Sequence, residues 1–452
     1  MDQRGAFGRF MSRVAITTLG CKINQFDSAA MHEQLKGSGY ELVSFDQEAD
    51  VYVINSCTVT ARSDAESRKL VRRARRCNPT ARIVVTGCYA QVDPESIAAM
   101  PEVDLVVGNG EKKGIVELLA DVTAQRVQVA PLSRQEDDAP LRLESHAEHT
   151  RAFLQIQNGC DAFCSYCIVP YARGKSRSVS FHETVEGVRT FARKGFREVV
   201  LTGIHLGAFG ADLQPRRSLL ELLEVIEAEA LVPRLRLGSL EPGEITDELV
   251  SFLARSTVVC PHLHIPLQSG ADRVLAVMKR RYTAEFFRER VLVLAEKIPD
   301  LFIGMDLIAG FPGESEDDFR RTVSLLQELP LAALHVFPFS PRPGTPAAEL
   351  PHRIQGNVVK ERVRVLLRLS EEKRAEFHRR FIGRELETLF LHPRSDGTME
   401  GLTRNYIPVS VEGIGEKAVG SLFSVMINRA GPDRCHGRVI SGKELEHAVS
   451  GS

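Results

Sequence analysis

The chain has 452 residues, 43% hydrophobic and 26% charged, with a formal net charge of −1. At roughly 150 residues per domain this is about three domains, each long enough to bury its own core. The balance excludes a disordered tail protein, a collagen and a disulfide-stapled miniprotein.

Residues 12–125 alternate strand and helix signals with short joins, the pattern of a parallel α/β sheet. Short β-branched runs fall at Val14–Leu19, Val51–Ile54, Ile83–Thr86 and Leu105–Val107, with helical stretches at Asn24–Ser38, Ala61–Arg76 and Lys113–Asp121. Residues 126–150 are largely polar and acidic without periodicity and read as a linker. From 151 to 382 the alternation resumes in longer units. The expected strands are Phe153–Ile156, Glu198–Thr202, Arg234–Leu237, His262–Ile265, Phe302–Ile308 and Leu334–Phe337. Amphipathic helices separate them, among them Ser218–Ala230, Ala284–Lys297 and Glu316–Glu328. Six such units predict an open, partial (β/α)6 barrel in place of the closed eight-stranded form, trailed by a long charged helix over Leu350–Phe381. Residues 383–445 change texture to short strands with Gly turns, at Glu387–Leu391, Tyr406–Val411, Ser421–Asn428 and Cys435–Ile440, a small all-β unit.

No uninterrupted apolar run reaches the ~18 residues of a membrane span. The first strand follows Met1 too closely for a secretory signal, so a cytoplasmic protein without a membrane partner is expected. Two basic stripes stand out against the near-neutral total. Arg62, Arg68, Lys69, Arg72, Arg73, Arg75 and Arg76 crowd one predicted helix, and Lys360, Arg362, Arg364, Arg368, Lys373, Arg374, Arg379 and Arg380 another. Such stripes are either solvated helix faces or local sites for a polyanion.

Nine cysteines in a reducing compartment call for metal or sulfur chemistry before disulfides. The strongest feature is Cys160-Asp-Ala-Phe-Cys164-Ser-Tyr-Cys167, directly after the first strand of the second domain. Three thiolates in one tight loop suit three corners of a [4Fe–4S] cluster and leave one iron open. The competing reading, a structural zinc site, normally requires four ligands, and no nearby Cys or His supplies the fourth. In the first domain Cys21, Cys57 and Cys88 each close a predicted strand and precede a helical segment. Strand C-termini of a parallel sheet gather along one edge, so the three can converge; otherwise they are small buried hydrophobes. Of the remaining cysteines, Cys260 sits in an apolar run and reads as core, while Cys77 and Cys435 carry no cluster pattern.

The loop at Cys160, Cys164 and Cys167, with an aromatic before the last Cys, resembles the radical S-adenosylmethionine (SAM) superfamily. Together with the second cysteine set and the small β-domain, the resemblance extends over nearly the whole chain to the methylthiotransferases. It implies an N-terminal iron–sulfur domain, a radical SAM barrel and a C-terminal RNA-binding TRAM domain, the last similar at Gly401-Leu-Thr-Arg-Asn-Tyr-Ile-Pro-Val409. The segment Leu19-Gly-Cys-Lys-Ile-Asn-Gln-Phe-Asp-Ser28 is most similar to the members that modify N6-threonylcarbamoyladenosine at position 37 of tRNA. Members acting on isopentenyladenosine usually carry Gln-Met-Asn after this Cys, and those acting on a ribosomal protein Pro-Lys-Asn.

The resemblance implies two [4Fe–4S] clusters and two SAM molecules per turnover. Cys160, Cys164 and Cys167 would hold the cluster that binds SAM and generates a 5′-deoxyadenosyl radical. Cys21, Cys57 and Cys88 would hold the cluster that presents methylated sulfur to carbon 2 of the adenine. The implied partners are the tRNA anticodon stem-loop, an electron donor and a sulfur source. Around the SAM site, Tyr166 is placed to border the adenine, Thr202 and Gly203 end the second strand, and Glu241 follows the third. Gly310 opens the Gly-Phe-Pro-Gly-Glu314 turn after the fifth strand, where backbone can approach a planar ring. His262 and His264 share a strand face and read as packing or hydrogen bonding inside the barrel, with a metal pair as the alternative. The β-domain has equal numbers of basic and acidic residues, so RNA affinity is expected to lean on the basic helix beside it. The opposing class is a non-catalytic iron–sulfur RNA-binding or electron-transfer module; electron transfer calls for clusters closed by four protein ligands, and both sets here stop at three.

Overall fold

The computed structural model describes residues 12–121, 125–132 and 150–440. The stretch before residue 12, most of the expected linker (133–149) and the last residues of the expected β-domain lie outside the described residues. By its internal packing the chain divides into two compact units, residues 1–144 with 168–174, and residues 145–167 with 175–452.

The first unit is built on a six-stranded sheet of β1 (Arg13–Thr18), β2 (Glu41–Val43), β3 (Val51–Ser56), β4 (Arg82–Gly87), β5 (Leu105–Val107) and β6 (Val127–Gln128). Its order is β2-β1-β3-β4-β5-β6 and every pairing is parallel. Alternate side chains of each strand enter opposite layers. Val51 and Val53 pack with Met31 and Leu35 of α1 (Lys22–Gly37), whereas Tyr52 and Ile54 pack with Val71 and Ala74 of α2 (Ala61–Cys77). A sheet buried on both faces explains why its central strands read as continuous apolar runs. The short α3 (Cys88–Val92) and α4 (Pro94–Ala98) follow β4, and α5 (Ile115–Ala120) follows a 3-10 turn at Glu111–Gly114. The strands β2 and β6 and the helices α3 and α4 are too short to carry a periodic signal. One further piece, α6 (Val169–Arg173), comes from the chain just after Cys167 and packs on α3. The expected boundary at residue 150 misses this return, because nothing local marks Ile168–Gly174 as belonging to the earlier domain.

In the second unit β7 (Ala152–Gln155) is followed by the short pair β8 (Gln157–Asn158) and β9 (Arg177–Ser178), then α7 (Phe181–Arg193) and β10 (Glu198–Thr202). The alternation continues through α8 (Leu219–Ala228), β11 (Arg234–Leu237), α9 (Asp247–Arg255) and β12 (His262–His264). It then runs through α10 (Asp272–Val277), α11 (Ala284–Lys297), β13 (Phe302–Ala309), α12 (Glu316–Glu328) and β14 (Ala333–Pro338). Parallel pairing gives two three-stranded halves, β11-β10-β7 and β12-β13-β14, joined by parallel bridges Leu235↔Val259 and Ser239↔His264. This is the six-stranded partial barrel expected. Helix starts are well capped: Ser218 and Glu221 form a capping box at α8, and Ser315 and Asp318 another at α12.

The long helix α13 (Gly356–Arg379) lies against β14 and leads into a closed five-stranded barrel. Its strands are β15 (Glu385–Pro393), β16 (Met399–Thr403), β17 (Pro408–Val411), β18 (Leu422–Ala430) and β19 (Cys435–Val439), in the order β15-β16-β17-β19-β18. The β-barrel shares a core with the partial barrel, since Phe302, Phe377 and Phe381 cluster with Ile407, Val409 and Val425. A buried charge group ties the two more tightly. Glu198 accepts from Arg234 at 2.7 Å and from Arg236 at 2.9 and 3.0 Å, all three side chains being fully buried. The same arginines donate to the carbonyls of Leu402, Thr403 and Arg404 in the β16–β17 corner. Burial pushes the Glu198 carboxyl up, but the charges of Arg236 and Arg234 override it and hold it well below the usual carboxylate range.

Candidate functional site

In the first unit the strand order turns between β1 and β3, the kind of switch point at which parallel sheets bind ligands beyond the strand C-termini. Cys21 is the N-cap of α1, Cys57 follows β3 and Cys88 opens α3 after β4. Two glycines let these loops close. A Cβ on Gly20 would stand 2.8 Å from both Cβ and Sγ of Cys57, and one on Gly87 would stand 2.3 Å from the Ser56 carbonyl oxygen. Both have positive φ, +99° and +96°, which side chains resist.

Asn24 clasps the group from below. Its amide donates to the Leu19 carbonyl at 2.7 Å and to the Ser56 carbonyl at 3.0 Å, while its Oδ1 lies 4.0 Å from Cys88 Sγ. Arg173 of α6 donates to that same Oδ1 at 2.5 Å and to Asp27 at 3.0 Å. Lys112 donates to Asp27 at 2.7 Å, and Asp27, Lys112 and Arg173 are all buried. Burial pushes the Asp27 carboxyl up, and Lys112 and Arg173 more than reverse it. Burial also pulls Lys112 below its usual range against the pull of Asp27. It raises the Cys57 thiol to about 11. Three converging thiols beside buried cations fit a group that binds thiolates and carries negative charge, as a three-Cys iron–sulfur cluster does.

In the second unit Cys160, Cys164 and Cys167 follow β8 in a loop pinned at Ser165. The Ser165 N–H and hydroxyl donate to the Met278 and Val277 carbonyls, and its own carbonyl accepts from Ala347 N–H. Cys160 Sγ lies 3.8 Å from His205 Nδ1, and Arg280 Nη1 donates to Cys164 Sγ at 3.3 Å. Hydrogen bonds to Cys160 and Glu244 push His205 up to about 10. The loop borders a cleft of about 600 Å³, within the range of small-molecule sites. Its walls include Cys164, His205, Glu241, Glu244, Arg280 and Tyr282.

The expected SAM residues divide. Glu241 does line the cleft, ion-paired with Arg280, and burial raises its carboxyl. Thr202 ends β10 buried, donating to the Leu154 carbonyl at 3.2 Å. Gly203 leaves room for Gln157, whose Oε1 accepts from His205 N–H at 2.8 Å. Tyr166 packs against the apolar cluster of Ala271, Val274 and Phe311. Gly310, at φ +76°, packs against α13, where a Cβ would meet Val359 Cγ2 at 2.4 Å. His205, Glu244 and the pair Arg280 and Tyr282 carry no sequence signal because they come from three segments far apart in the chain.

His262 is buried against the rings of Phe302 and Tyr406, as packing requires. His264 donates to Asp306 at 2.9 Å, and His335 lies 3.5 Å from the same oxygen. Cys260 and Cys435 are buried, and Cys77 lies against the core under α2. The basic stripes differ. On α2, Arg62, Lys69, Arg72 and Arg76 remain exposed, while Arg75 caps the carbonyls of Pro79, Ala81 and Glu102. On α13 Arg362 is buried on Glu314 and Lys373 caps Gln327 and Leu329, while Arg380, just past the helix, pairs with Asp300. Lys360, Arg364, Arg368 and Arg379 remain exposed on the same helix. No described helix is long and apolar enough to cross a membrane.

Residues 13–108 match the family described as uncharacterized protein family UPF0004, and residues 154–326 match the radical SAM superfamily. The chain is 42% identical to the threonylcarbamoyladenosine tRNA methylthiotransferase MtaB of Aquifex aeolicus, over 92% of this chain and 100% of that one. It is 39% identical to the protein of the same name in Bacillus subtilis, over 97% and 99%. Identity to the tRNA-2-methylthio-N6-dimethylallyladenosine synthase of Moorella thermoacetica is 33%, over 94% and 98%. Among solved structures, the radical SAM methyltransferase TsrM of Kitasatospora setae shares the fold at a TM-score of 0.56 and 16% identity, over 75% of this chain and 77% of that one.

Proposed function

Because the chain belongs to the tRNA methylthiotransferase family of radical SAM enzymes, we propose that it places a methylthio group on carbon 2 of N6-threonylcarbamoyladenosine 37 in tRNA. The observation that carries the substrate is the identity of 42 and 39%, over almost full length, to two relatives named for threonylcarbamoyladenosine, against 33% to one named for dimethylallyladenosine. When bound, SAM and two iron–sulfur clusters supply the radical and sulfur chemistry that no side chain provides.

The residues around each site have separate tasks. Cys160, Cys164 and Cys167 hold the radical-generating cluster, and Arg280 and His205 donate hydrogen bonds toward its sulfurs. Such bonds are a standard means of setting cluster potential. Glu241 and Glu244 face the cleft as carboxylates for the amino or hydroxyl groups of SAM. Cys21, Cys57 and Cys88 hold the second cluster, with Asn24 fixing the loops that carry them. Arg62, Lys69, Arg72 and Arg76 of α2 follow the Cys57 loop and offer phosphate contacts that position RNA without reading bases. The C-terminal β-barrel is the TRAM domain, and an electron donor and a sulfur source complete the reaction.

Anaerobic turnover with reconstituted protein, SAM, reductant and unfractionated tRNA, followed by nucleoside mass spectrometry, tests this reading. A methylthio group on threonylcarbamoyladenosine is the expected product. Its appearance on isopentenyladenosine alone overturns the substrate and keeps the chemistry. Cleavage of SAM without any tRNA product overturns tRNA as the substrate, and leaves a ribosomal protein to be assayed next.

A further inference from the structure

Two histidines of the second unit converge on one carboxylate, and the chemistry of methylthio transfer uses neither. His264 Nε2 lies 2.9 Å from Asp306 Oδ1, and His335 Nδ1 lies 3.5 Å from the same oxygen. Each of the three side chains offers one ligand atom such that all lie within 4.8 Å of one another. Strand register brings them together. His264 pairs with Gly304 across β12 and β13, and Asp306 pairs with His335 across β13 and β14. Side chains two apart on a strand share a face, so Gly304 and Asp306 present the same face of β13. The three residues therefore stand side by side on three adjacent parallel strands, a more exact support than a loop gives. Gly304 makes room for the group, since a Cβ there would stand 3.2 Å from His264 Nδ1. The rings of His264 and His335 lie 4.9 Å apart between centroids, tilted by 31°.

We propose that His264, Asp306 and His335 bind one divalent transition-metal ion and leave part of its coordination shell open. Two imidazole nitrogens and one carboxylate oxygen are the donor set of such ions, whereas Mg²⁺ and Ca²⁺ take oxygen ligands. Metal–ligand bonds of about 2.0–2.2 Å at tetrahedral or octahedral angles place neighbouring donors roughly 3–3.5 Å apart. The separations of 2.9 and 3.5 Å match that spacing. Hydrogen bonding alone accounts for His264 but not for His335, whose 3.5 Å approach exceeds the ordinary range of about 2.7–3.2 Å. Three protein ligands leave coordination positions free. The His335 side chain is 58% exposed, so water or another oxygen donor can reach them. On binding, each imidazole gives the lone pair of the nitrogen turned toward Asp306, and its proton sits on the other ring nitrogen or passes to solvent. The site uses none of the six cluster cysteines and does not depend on their assignment.

The test titrates Mn²⁺ into the full chain, reconstituted with iron and sulfide and kept oxidised so that iron–sulfur clusters add no paramagnetic signal. Mn²⁺ is the probe because it prefers nitrogen and oxygen donors to thiolates. Electron paramagnetic resonance is expected to show the sharp signal of free Mn²⁺ disappearing up to one ion per chain. Spin-echo modulation from imidazole nitrogen should accompany the bound ion. His335→Ala, at an exposed position, and Asp306→Asn, which keeps the side-chain shape, are each expected to weaken binding at least ~10-fold, the loss that follows from disturbing even an outer partner of a metal ligand. His182→Ala, at an exposed histidine of α7, should bind as the parent does. An undiminished free Mn²⁺ signal overturns the proposal, and so does a bound ion without imidazole modulation. Binding by both His335→Ala and Asp306→Asn within about twofold of the parent overturns it as well. If Asp306→Asn does not fold, His335→Ala decides by the same criterion.

Discussion

Gly87→Ala offers a sharp perturbation of the first cysteine set. The residue sits at φ +96° and ψ −167°, a region essentially restricted to glycine and costing a side-chain residue ~1–3 kcal/mol. Its new Cβ would lie 2.3 Å from the Ser56 carbonyl oxygen, where ordinary contact begins at 3.4 Å. Ser56 and Gly87 are register partners, so β3 and β4 must part by about 1 Å at the ends that carry Cys57 and Cys88. The overpacking adds ~1–3 kcal/mol, for a total of roughly 2–6 kcal/mol. At about 2–4 °C per kcal/mol, the first unit should melt roughly 4–24 °C lower. Metal–ligand distances tolerate only about 0.2 Å, so the cluster should fail before the fold does. In the background lacking Cys160, Cys164 and Cys167, iron is expected to fall from ~4 to below ~1 per chain. Circular dichroism at 15 °C should stay at the parent level. Undiminished iron with an unchanged absorption spectrum would refute the argument that Gly87 sets the spacing of these two thiols.

The two cysteine sets should separate by assay: Cys164→Ala is expected to abolish 5′-deoxyadenosine formation, while Cys57→Ala leaves SAM cleavage and stops methylthio transfer. Equal loss of SAM cleavage in both, with the barrel cluster intact, refutes this division. Glu198→Gln leaves Arg234 and Arg236 buried around a neutral amide, and a loss of ~3 kcal/mol is expected in chemical denaturation of the second unit. Because the folded pKa of Glu198 is depressed, its contribution is full above the ordinary Glu value of ~4.3 and is lost as pH falls through the folded value. The difference between parent and variant should therefore shrink below about pH 4. A gap that widens on acidification would contradict the sign. Replacing Arg62, Lys69, Arg72 and Arg76 by Gln should reduce the slope of log affinity for tRNA against log salt by up to ~3. An unaltered slope would remove α2 from the RNA-binding surface.

Both cysteine sets were legible in the sequence for different reasons. The set at Cys160, Cys164 and Cys167 is local, and a tight loop fixes its members whatever surrounds it. The set at Cys21, Cys57 and Cys88 was visible because parallel topology gathers strand ends, and each Cys follows a run whose apolar continuity marks it as a buried strand. The six βα units and the β-rich C-terminus were likewise written in hydrophobic period and turn residues. The strand β16 was missed: its Gly401, pressed against Thr388 and Phe390, reads locally as a turn.

Tertiary structure alone decided what surrounds those sulfurs and which charges face inward. The alternation Arg-Leu-Arg-Leu in β11 gives no local reason to bury its arginines, yet both are buried because Glu198 and the β16–β17 corner receive them. On the basic α13, Arg362 is buried against Glu314 while Lys360, Arg364 and Arg368 stay exposed, a difference the charge run does not announce. Asp27, Lys112 and Arg173 lie far apart in the chain, and no pattern in it announces that they meet beneath one cysteine set. Periodicity reports which side of an element is apolar, a property of neighbours along the chain. The partner of a buried charge comes from whichever distant segment the fold brings up, and that is settled only when the elements pack.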